Sequence, residues 1–257
     1  MVQIPPQPAS PATGRGGRAT PDVGSRTGRR QARALATRET ILAAAAQEFA
    51  AEGYHAASLS GILERSGVTK GAMYFHFASK ESMARAVVDL MAARLPEVVA
   101  EWVAAGHDPL TTAVHVAVGY AALLRDEVVC RAGLRVVSEG ALGAGHARWP
   151  ADFWEAVHAD LFARAREAGS LRQGIDPVEL ARTVVALGTG IRSVCVAAGE
   201  LAAIRERTAA SWTVLLAGIA EPSWLARWQA AGGMATVPGE PGSTSAGVPP
   251  GGVGGVP

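Results

Sequence analysis

The chain has 257 residues with a formal net charge of +1, and 49% of its residues are hydrophobic. This apolar content excludes a wholly disordered chain, while the aromatic share of 5% and the abundant alanine favour helices over strands. The two cysteines, Cys130 and Cys195, have neither a disulfide-framework nor a zinc-ligand spacing, so we expect buried thiols and no metal site or cofactor.

Four regions follow one another along the chain. We predict a disordered Arg/Pro/Gly-rich arm at residues 1–33, a small helical module at residues 34–83, a larger helical domain at residues 84–230 and a disordered Gly/Pro-rich tail at residues 231–257. The two ends contain too few large apolar side chains to offset the entropy cost of ordering them.

Helical periodicity dominates the two middle regions. The first helix is predicted to begin at an N-cap, Thr37, and to end at Gly53. Ser58 and Thr69 can cap two short helices that end near Arg65 and Phe77. Five later helices are predicted at residues 109–126, 127–139, 150–168, 176–198 and 201–219. Because no convincing strand-length alternation appears, the predicted fold class is all-α.

A long helix is predicted to connect the two helical regions. Ser79 caps it, and Pro96 should kink or end it, because proline lacks the N–H that an interior helical position needs. The longest uncharged apolar-rich stretch, Pro109–Leu124, is shorter than the roughly 20 residues that span a bilayer. The N-terminus also lacks the apolar segment of a secretory signal. We therefore expect a cytoplasmic protein without a membrane partner.

Charge is distributed unevenly along the chain. Residues 1–85 hold 11 basic and 6 acidic side chains (net +5), whereas residues 86–257 hold 13 and 17 (net −4). A basic module on an acidic body is typical of a protein in which one part meets a polyanion. Within the basic module, the run ASLSGILERSGVTKGAMYFHFASK at Ala57–Lys80 contains two short helices separated by a Gly67 turn. This pattern predicts a helix-turn-helix, whose second helix enters the major groove of DNA.

The candidate DNA-binding side chains surround the second helix of this motif. Lysine can reach a guanine edge or a phosphate, glycine allows close approach of the backbone, and hydroxyl and imidazole groups suit phosphate oxygens. A lysine in the first turn of a helix gains nothing from the helix dipole, so an external phosphate would explain it. The candidates are Ser58, Thr69, Lys70, Gly71, Tyr74, His76 and Lys80. The preceding arginines belong to a solvated tail, or they enter a minor groove or neutralise phosphates.

These residues resemble a known family. Thr40–Ala86 is similar to the DNA-binding domain of TetR-type repressors, and GVTKGAMYFHFASKE at Gly67–Glu81 resembles the γ-butyrolactone autoregulator receptors. The latter resemblance extends into the segments VVCRAGLRVVSEG (128–140) and PADFWEAV (150–157). Gly61 departs from the family pattern, since a polar helix former is usual there and glycine costs up to about 1 kcal/mol of helix propensity.

The resemblance implies a homodimer, a ligand and a mechanism. The predicted helices at residues 176–198 and 201–219 would form a four-helix bundle with the partner, where Gly188 and Gly190 allow close backbone approach. Such a dimer would read a pseudo-palindromic operator with half-sites about 34 Å apart. A small hydrophobic signal, a γ-butyrolactone, would bind in the body and shift the connecting helix, roughly residues 79–95, so that the dimer leaves the operator.

Several residues are candidates for the wall of the ligand pocket. Trp154 matches the family's pocket tryptophan, and its indole offers a flat apolar wall with one N–H donor. Trp149 is a weaker candidate, and Met91 and Thr189 could complete the pocket. His158, four residues after Trp154, is interpreted as a structural histidine, with contact to the same pocket as the alternative.

Three other functions compete with a butyrolactone-responsive repressor. An enzyme is disfavoured, because the sequence contains no catalytic Ser, phosphate-loop, zinc-protease or dinucleotide fingerprint. A helical dimer that has lost DNA binding is disfavoured by the retained motif. A TetR-type sensor of antibiotics or their intermediates stays open, because any flat hydrophobic ligand would stack on Trp154.

Overall fold

The computed structural model describes residues 26–143 and 148–237, and helix follows helix through both ranges. The described part contains ten α-helices, two short 3-10 turns and an isolated antiparallel bridge between Leu171 and Ala220. The fold is therefore all-α, as predicted. Residues 1–25 and 238–257 of the two predicted disordered ends lie outside the described residues, whereas Gly233–Thr236 of the predicted disordered tail forms a 3-10 turn.

The helices follow in chain order. They are α1 (Arg26–Glu52), α2 (Leu59–Ser66), α3 (Lys70–His76), α4 (Lys80–Ala104), α5 (Pro109–Asp126), α6 (Val128–Ser138), α7 (Trp149–Glu167), α8 (Pro177–Ala197), α9 (Ile204–Ile219) and α10 (Pro222–Ala230). The 3-10 turns are Leu201–Ala203 and Gly233–Thr236. The helix α10 was not predicted from the sequence.

The first helix begins earlier than predicted. It starts at Arg26 instead of after Thr37, so residues 26–33 of the predicted disordered arm are helical. Thr37 lies inside α1, where its hydroxyl donates a hydrogen bond to the Arg33 carbonyl at 2.9 Å. The alanines and arginines of this segment are strong helix formers, and their propensity outweighs one interior threonine.

A head of three helices forms around a shared apolar core. Buried side chains from α1, α2 and the α3 region meet there, namely Ile41, Phe49, Ile62, Met73 and Phe77. Ser58 and Thr69 cap α2 and α3 as predicted, accepting hydrogen bonds from the backbone N–H groups of Gly61 and Ala72. Gly67 ends α2 with a φ of +64°, a conformation that favours glycine.

Gly61 has a packing reason in this head. A Cβ at position 61 would overlap the Glu48 carboxylate, which is buried between α1 and α2. Glu48 accepts a hydrogen bond from Arg65 at 2.8 Å and one from the Ser58 N–H at 3.2 Å, and these contacts hold its pKa below the usual range. Glycine at position 61 lowers the helix propensity of α2, but it allows α2 to pack closely against α1.

The connecting helix continues past its proline. Pro96 lies inside α4, which runs on to Ala104, so the helix does not end at the proline. Buried Leu95, Val98 and Val99 around the proline pack into the core, and this burial offsets the missing backbone hydrogen bond.

The core of the body lies around α5, which is buried on almost all sides. Helices α4, α6, α7 and α9 pack around it. The unpredicted α10 is attached to the start of α5, because the indole N–H of Trp224 donates a hydrogen bond to Asp108, the N-cap of α5, at 2.9 Å.

Among the described residues, α8 has the length and hydropathy that crossing a bilayer would require. One of its faces packs into the core through Leu180, Ala181 and Val184. Arg182 and Arg192 lie along the same helix, and charged side chains are costly in a hydrocarbon environment. We interpret α8 as a helix that packs against protein.

Candidate nucleic-acid interface and ligand cavity

The helix α3 presents one exposed face to solvent. Lys70, Gly71 and Tyr74 are exposed there, while Met73 and Phe77 on the opposite side are buried. A Cβ at Gly71 would have no neighbour within 4 Å, so packing in this protomer does not require glycine at that position. The absence of a side chain leaves room for an external surface to approach the backbone.

Phe75 is the residue of this face that sequence reasoning missed. Its side chain is 81% exposed and makes an edge contact with His76, at 5.1 Å between ring centroids. The sequence analysis assigned it no role, and the helical phase puts it beside Tyr74, away from Met73. An exposed apolar ring on a recognition helix can contact a thymine methyl group in the major groove.

Two predicted DNA contacts also have structural roles. The oxygens of Ser58 and Thr69 accept the capping hydrogen bonds described above, although both residues remain exposed. His76 is half-buried at the end of α3. These three residues therefore flank the exposed face formed by Lys70, Tyr74 and Phe75.

Lys80 is held by the protein itself. Its ammonium group donates hydrogen bonds to the carbonyls of Tyr54 at 2.8 Å and Ala57 at 2.9 Å, with a longer one to His55 at 3.4 Å. It also lies 4.7 Å from the centre of the Tyr54 ring. The inference that Lys80 needs an external phosphate is therefore corrected, because these carbonyls supply its negative partners.

A second set of contacts binds the end of α1 and the start of the loop between α1 and α2, which we call the corner of the head. Lys80 binds the same loop. Arg135 on α6 donates hydrogen bonds to the Ala50 and Ala51 carbonyls at 2.9 and 2.8 Å. Glu139 pairs with Arg135 and accepts a hydrogen bond from the Tyr54 N–H at 2.7 Å. We call the Arg135–Glu139 pair with its backbone partners the clasp. It joins α6 of the body directly to the head.

The corner requires glycine for two reasons. Gly53 has a φ of +83°, which disfavours any residue with a Cβ. A Cβ at this position would also overlap the Glu139 carboxylate and come within 2.9 Å of the Arg135 guanidinium. The clasp therefore lies directly against the backbone at the end of α1.

The body contains a cavity of about 280 Å³. It is lined mainly by apolar side chains from α5, α6, α7, α8 and α9, and its volume is near the lower end of the ~300–1,000 Å³ usual for ligand pockets. Trp154 lines it and packs against Tyr120, with 4.3 Å between ring centroids. Thr189 lies at its exposed edge on α8.

Two other pocket candidates are placed differently. Met91 is fully buried but is not part of the cavity wall; it packs against α6, where a Cβ at Gly133 would come within 2.9 Å of its sulfur. Its assignment to the pocket is therefore wrong, because α6 lies between α4 and the cavity. Trp149 is buried against Phe153 and is likewise absent from the wall.

His158 also lines the cavity, which is the alternative to the structural role that the sequence favoured. Its Nδ1 lies 2.9 Å from the Trp154 carbonyl oxygen, whereas its Nε2 is buried without a hydrogen-bond partner among the described residues. Burial lowers its pKa to about 4, so the ring is neutral near pH 7. No group of three metal-ligating side chains occurs in the described ranges.

The two buried histidines predict a loss of stability in acid. Burial, with a smaller effect of His107, also lowers the pKa of His115 to about 4. Between about pH 6.5 and pH 4 these two histidines are protonated in the unfolded chain but stay neutral in the folded chain. The free energy of unfolding therefore falls as the pH drops through this range. We expect a decrease of up to about 3 kcal/mol per histidine in the free energy of unfolding. Chemical denaturation at several pH values should show it, and a His115→Phe/His158→Phe variant should have a shallower dependence; equal slopes would contradict the prediction.

Comparisons with known proteins agree with this geometry. Residues 41–87 match the family of bacterial regulatory proteins described as the tetR family. The chain is 37% identical over 197 residues to the A-factor receptor protein of Streptomyces griseus, covering 77% of this chain and 68% of that protein.

Solved structures resemble the whole described fold. A γ-butyrolactone receptor (ArpA-like protein) is 29% identical with a TM-score of 0.66, covering 80% of this chain and 97% of that one. The TetR family protein CprB from S. coelicolor A3(2) is 30% identical with a TM-score of 0.68, covering 79% and 96%. CprB has also been solved in complex with its biological operator sequence, and that structure has a TM-score of 0.65 and 30% identity over 76% of this chain and 94% of that one.

The helix-turn-helix head, the helical body and these likenesses point to the same conclusion. The chain is a DNA-binding transcription regulator rather than an enzyme. It belongs to the TetR family of bacterial regulatory proteins and is related to the A-factor and γ-butyrolactone receptors.

Proposed function

We propose that the protein is a cytoplasmic repressor that binds a pseudo-palindromic operator as a homodimer and leaves it when a γ-butyrolactone enters the cavity. The observation that carries this proposal is the double role of α6. Leu134, Val137 and Ser138 of α6 line the cavity, while Arg135 of the same helix and Glu139, which follows its last residue, form the clasp on the head. A ligand that displaces α6 therefore acts directly on the position of the head.

This coupling modifies the expected mechanism. The connecting helix α4 still moves with α6, because the two are packed together at Met91 and Gly133 and are joined by the Arg94–Glu127 ion pair at 3.3 Å. The clasp adds a second route that does not pass through α4. Inverting a 99:1 population of DNA-competent and incompetent states requires a ligand to discriminate between them by about 5.5 kcal/mol.

The proposed dimer uses the outer faces of α8 and α9. Val194 and Val196 are each 55% exposed, and Val214 is 77% exposed. Gly188 and Gly190 have open space where a Cβ would point, so another backbone can come close. Exposed apolar patches on soluble proteins commonly mark interaction sites. A twofold partner that covers these faces would give the dimer two α3 helices, one for each half-site of the operator.

A gel-shift assay on the protein's own promoter region tests the proposal. We expect one complex at low ionic strength that disappears as a γ-butyrolactone is added. Release by antibiotic intermediates alone would favour the second candidate, a TetR-type antibiotic sensor, because any flat hydrophobic ligand can stack on the Trp154 indole. A protein that stays monomeric and binds no fragment of the promoter DNA would contradict both proposals.

Lys70→Ala should weaken operator binding and flatten its salt dependence. Each lost phosphate contact lowers the slope of log K against log[salt] by about 0.9, and a dimer loses two contacts. Lys80→Ala is the informative comparison, because we expect it mainly to lower the melting temperature by freeing the Tyr54 and Ala57 carbonyls. An unchanged salt slope in the Lys70 variant would show that Lys70 does not touch a phosphate.

The helical start of α1 bears on how the N-terminal arginines meet DNA. Arg29, Arg30 and Arg33 are exposed on one side of this helix, and no acidic residue occurs between positions 23 and 38. An α-helix about 10–12 Å wide does not fit a minor groove about 6 Å wide. We therefore propose that these arginines neutralise phosphates beside the operator and do not insert into the minor groove.

Exchanging these three arginines for glutamine should lower affinity and salt slope on a long duplex but have little effect on a duplex trimmed to the operator. Glutamine preserves helix propensity, so the helix itself should persist. The control exchanges Arg164, Arg166 and Arg227 of the body in the same way. Identical losses on both duplexes, or none on either, would contradict contacts with flanking phosphates.

A further inference from the structure

The hydrogen bonds of His158 define the chemistry of what the cavity can hold. A backbone carbonyl only accepts hydrogen bonds, so the 2.9 Å contact with the Trp154 oxygen requires the proton of the neutral imidazole to be on Nδ1. Nε2 is then a lone-pair acceptor. This side chain is 3% exposed, and Nε2 has no donor among the described residues.

A complementary group lies next to it. The indole Nε1 of Trp154, which is 5% exposed, is a donor that forms no hydrogen bond of normal geometry in the described protomer, although Tyr120 is adjacent. The rings of Trp154 and His158 are 6.3 Å apart and both line the cavity. Both nitrogens are covered by neighbouring atoms in the free protein, so a ligand reaches them by displacing part of the cavity wall.

The other polar groups of the wall are less demanding. The Thr208 hydroxyl already donates to the Ile204 carbonyl at 2.8 Å, and Thr189 and Arg192 on α8 remain partly in contact with solvent. A buried acceptor without a partner is costly, whereas a solvated group is not. Among the wall residues, the buried polar atoms without a hydrogen bond of standard geometry are therefore the His158 Nε2 and the Trp154 Nε1, and the Tyr120 hydroxyl beside Trp154 is a further polar group that a ligand can meet.

We infer that His158 is a ligand-selecting residue whose Nε2 accepts a hydrogen bond from a hydroxyl group on the ligand, while the Trp154 N–H donates to a carbonyl oxygen on the same molecule. This inference rests on the proposed function and deepens it. It predicts that γ-butyrolactones with a free hydroxyl group bind well, whereas those whose hydroxyl group is O-alkylated or absent bind poorly. The same preference applies to a flat phenolic ligand, because it depends on a hydroxyl group that donates to the His158 Nε2 and not on the lactone ring.

Paired probes test the rule. One pair is an alkyl γ-butyrolactone bearing a hydroxymethyl group and its methyl ether; the other is 1-naphthol and 1-methoxynaphthalene, which carry no lactone. Titration calorimetry with the full-length protein should give about tenfold tighter binding of the hydroxyl form in at least one pair, equivalent to about 1.4 kcal/mol. Equal affinities within every pair that binds would overturn the inference.

The matched variants are His158→Phe and His115→Phe. His115 is also buried with an unpartnered Nε2, but it lies outside the cavity wall, beside His107 at 4.6 Å between ring centroids. We expect His158→Phe to bind both members of a pair equally and His115→Phe to keep the tenfold preference. Retention of the preference by His158→Phe would overturn the role assigned to this residue.

A measurement on the wild-type protein covers the case in which the variants do not fold or no probe binds. Nitrogen-15 NMR of the histidine rings reports which nitrogen carries the proton. We expect the Nδ1–H form for His158 in the free protein; an Nε2–H form would overturn the inference. Failure of the lactones to release DNA, with this tautomer and the naphthol preference intact, would instead count against the proposed signal class alone.

Discussion

Trp154→Ala is expected to leave operator binding unchanged and to abolish ligand-dependent release. The indole packs against Tyr120 at 4.3 Å and Phe153 at 4.9 Å between ring centroids, and it forms part of the cavity wall. Removing it deletes the flat surface on which a ligand stacks, together with the buried N–H donor. We expect at least a hundredfold loss of lactone affinity, measured by calorimetry, and an operator complex that persists at lactone concentrations that dissociate the wild type.

The control for this variant is Trp224→Ala. Trp224 is as buried as Trp154, at 5% exposure, but it contacts Asp108 at the start of α5 and lies outside the cavity wall. Each truncation of a buried tryptophan should cost about 3–5 kcal/mol of stability. If the two variants lose ligand response to the same extent, Trp154 is a core residue and has no specific role in binding.

Arg135→Ala/Glu139→Ala is expected to separate ligand binding from DNA release. Both charges are removed together, so neither is left unpaired against the backbone of the head. Cavity and recognition face are untouched, so the affinities for lactone and for operator, measured separately, should stay within a few-fold of wild type. The ratio of operator affinities without and with ligand should fall towards one, because a coupling free energy of about 1–3 kcal/mol is lost.

Arg94→Ala provides the comparison for the clasp. It breaks the ion pair with Glu127 that joins α4 to the start of α6, but it touches no atom of the head corner. If the clasp transmits the signal, the Arg94 variant keeps most of the coupling. Loss of coupling in the Arg94 variant with retention in the double variant would assign transmission to the connecting helix α4, as the sequence suggested.

Local signals allowed much of the head to be predicted from the sequence. Ser58, Thr69 and Gly67 act through hydrogen bonds and backbone angles within four residues of themselves, so their roles as caps and as a helix stop could be recognised from the printed sequence. The start of α1 was wrong for a related reason. Thr37 is a good cap in isolation, but the helix-forming residues before it extend the helix past it.

Long-range contacts decided the roles that could not be predicted. Lys80 is separated by more than 20 residues from the carbonyls that hold it, and the residues of the clasp are 84 or 85 positions from their partners. Met91 is an apolar residue of a type that can line a ligand pocket, but it packs against α6, which separates it from the cavity. Phe75 was overlooked because apolar composition alone does not distinguish a core side chain from one that faces a partner.

The sequence alone determined the all-α fold, the helix-turn-helix with its exposed Lys70 and the presence of a tryptophan suited to a ligand wall. These features follow from residue type, periodicity and short-range hydrogen bonds, which any reader of the chain can evaluate. Only the tertiary structure decided that one helix, α6, lines the cavity and contacts the head, and that the Nε2 of His158 is buried without a hydrogen-bond partner among the described residues. Both depend on which distant segments meet, because packing in three dimensions sets a side chain's neighbours and therefore its protonation, its burial and its unmet hydrogen bonds.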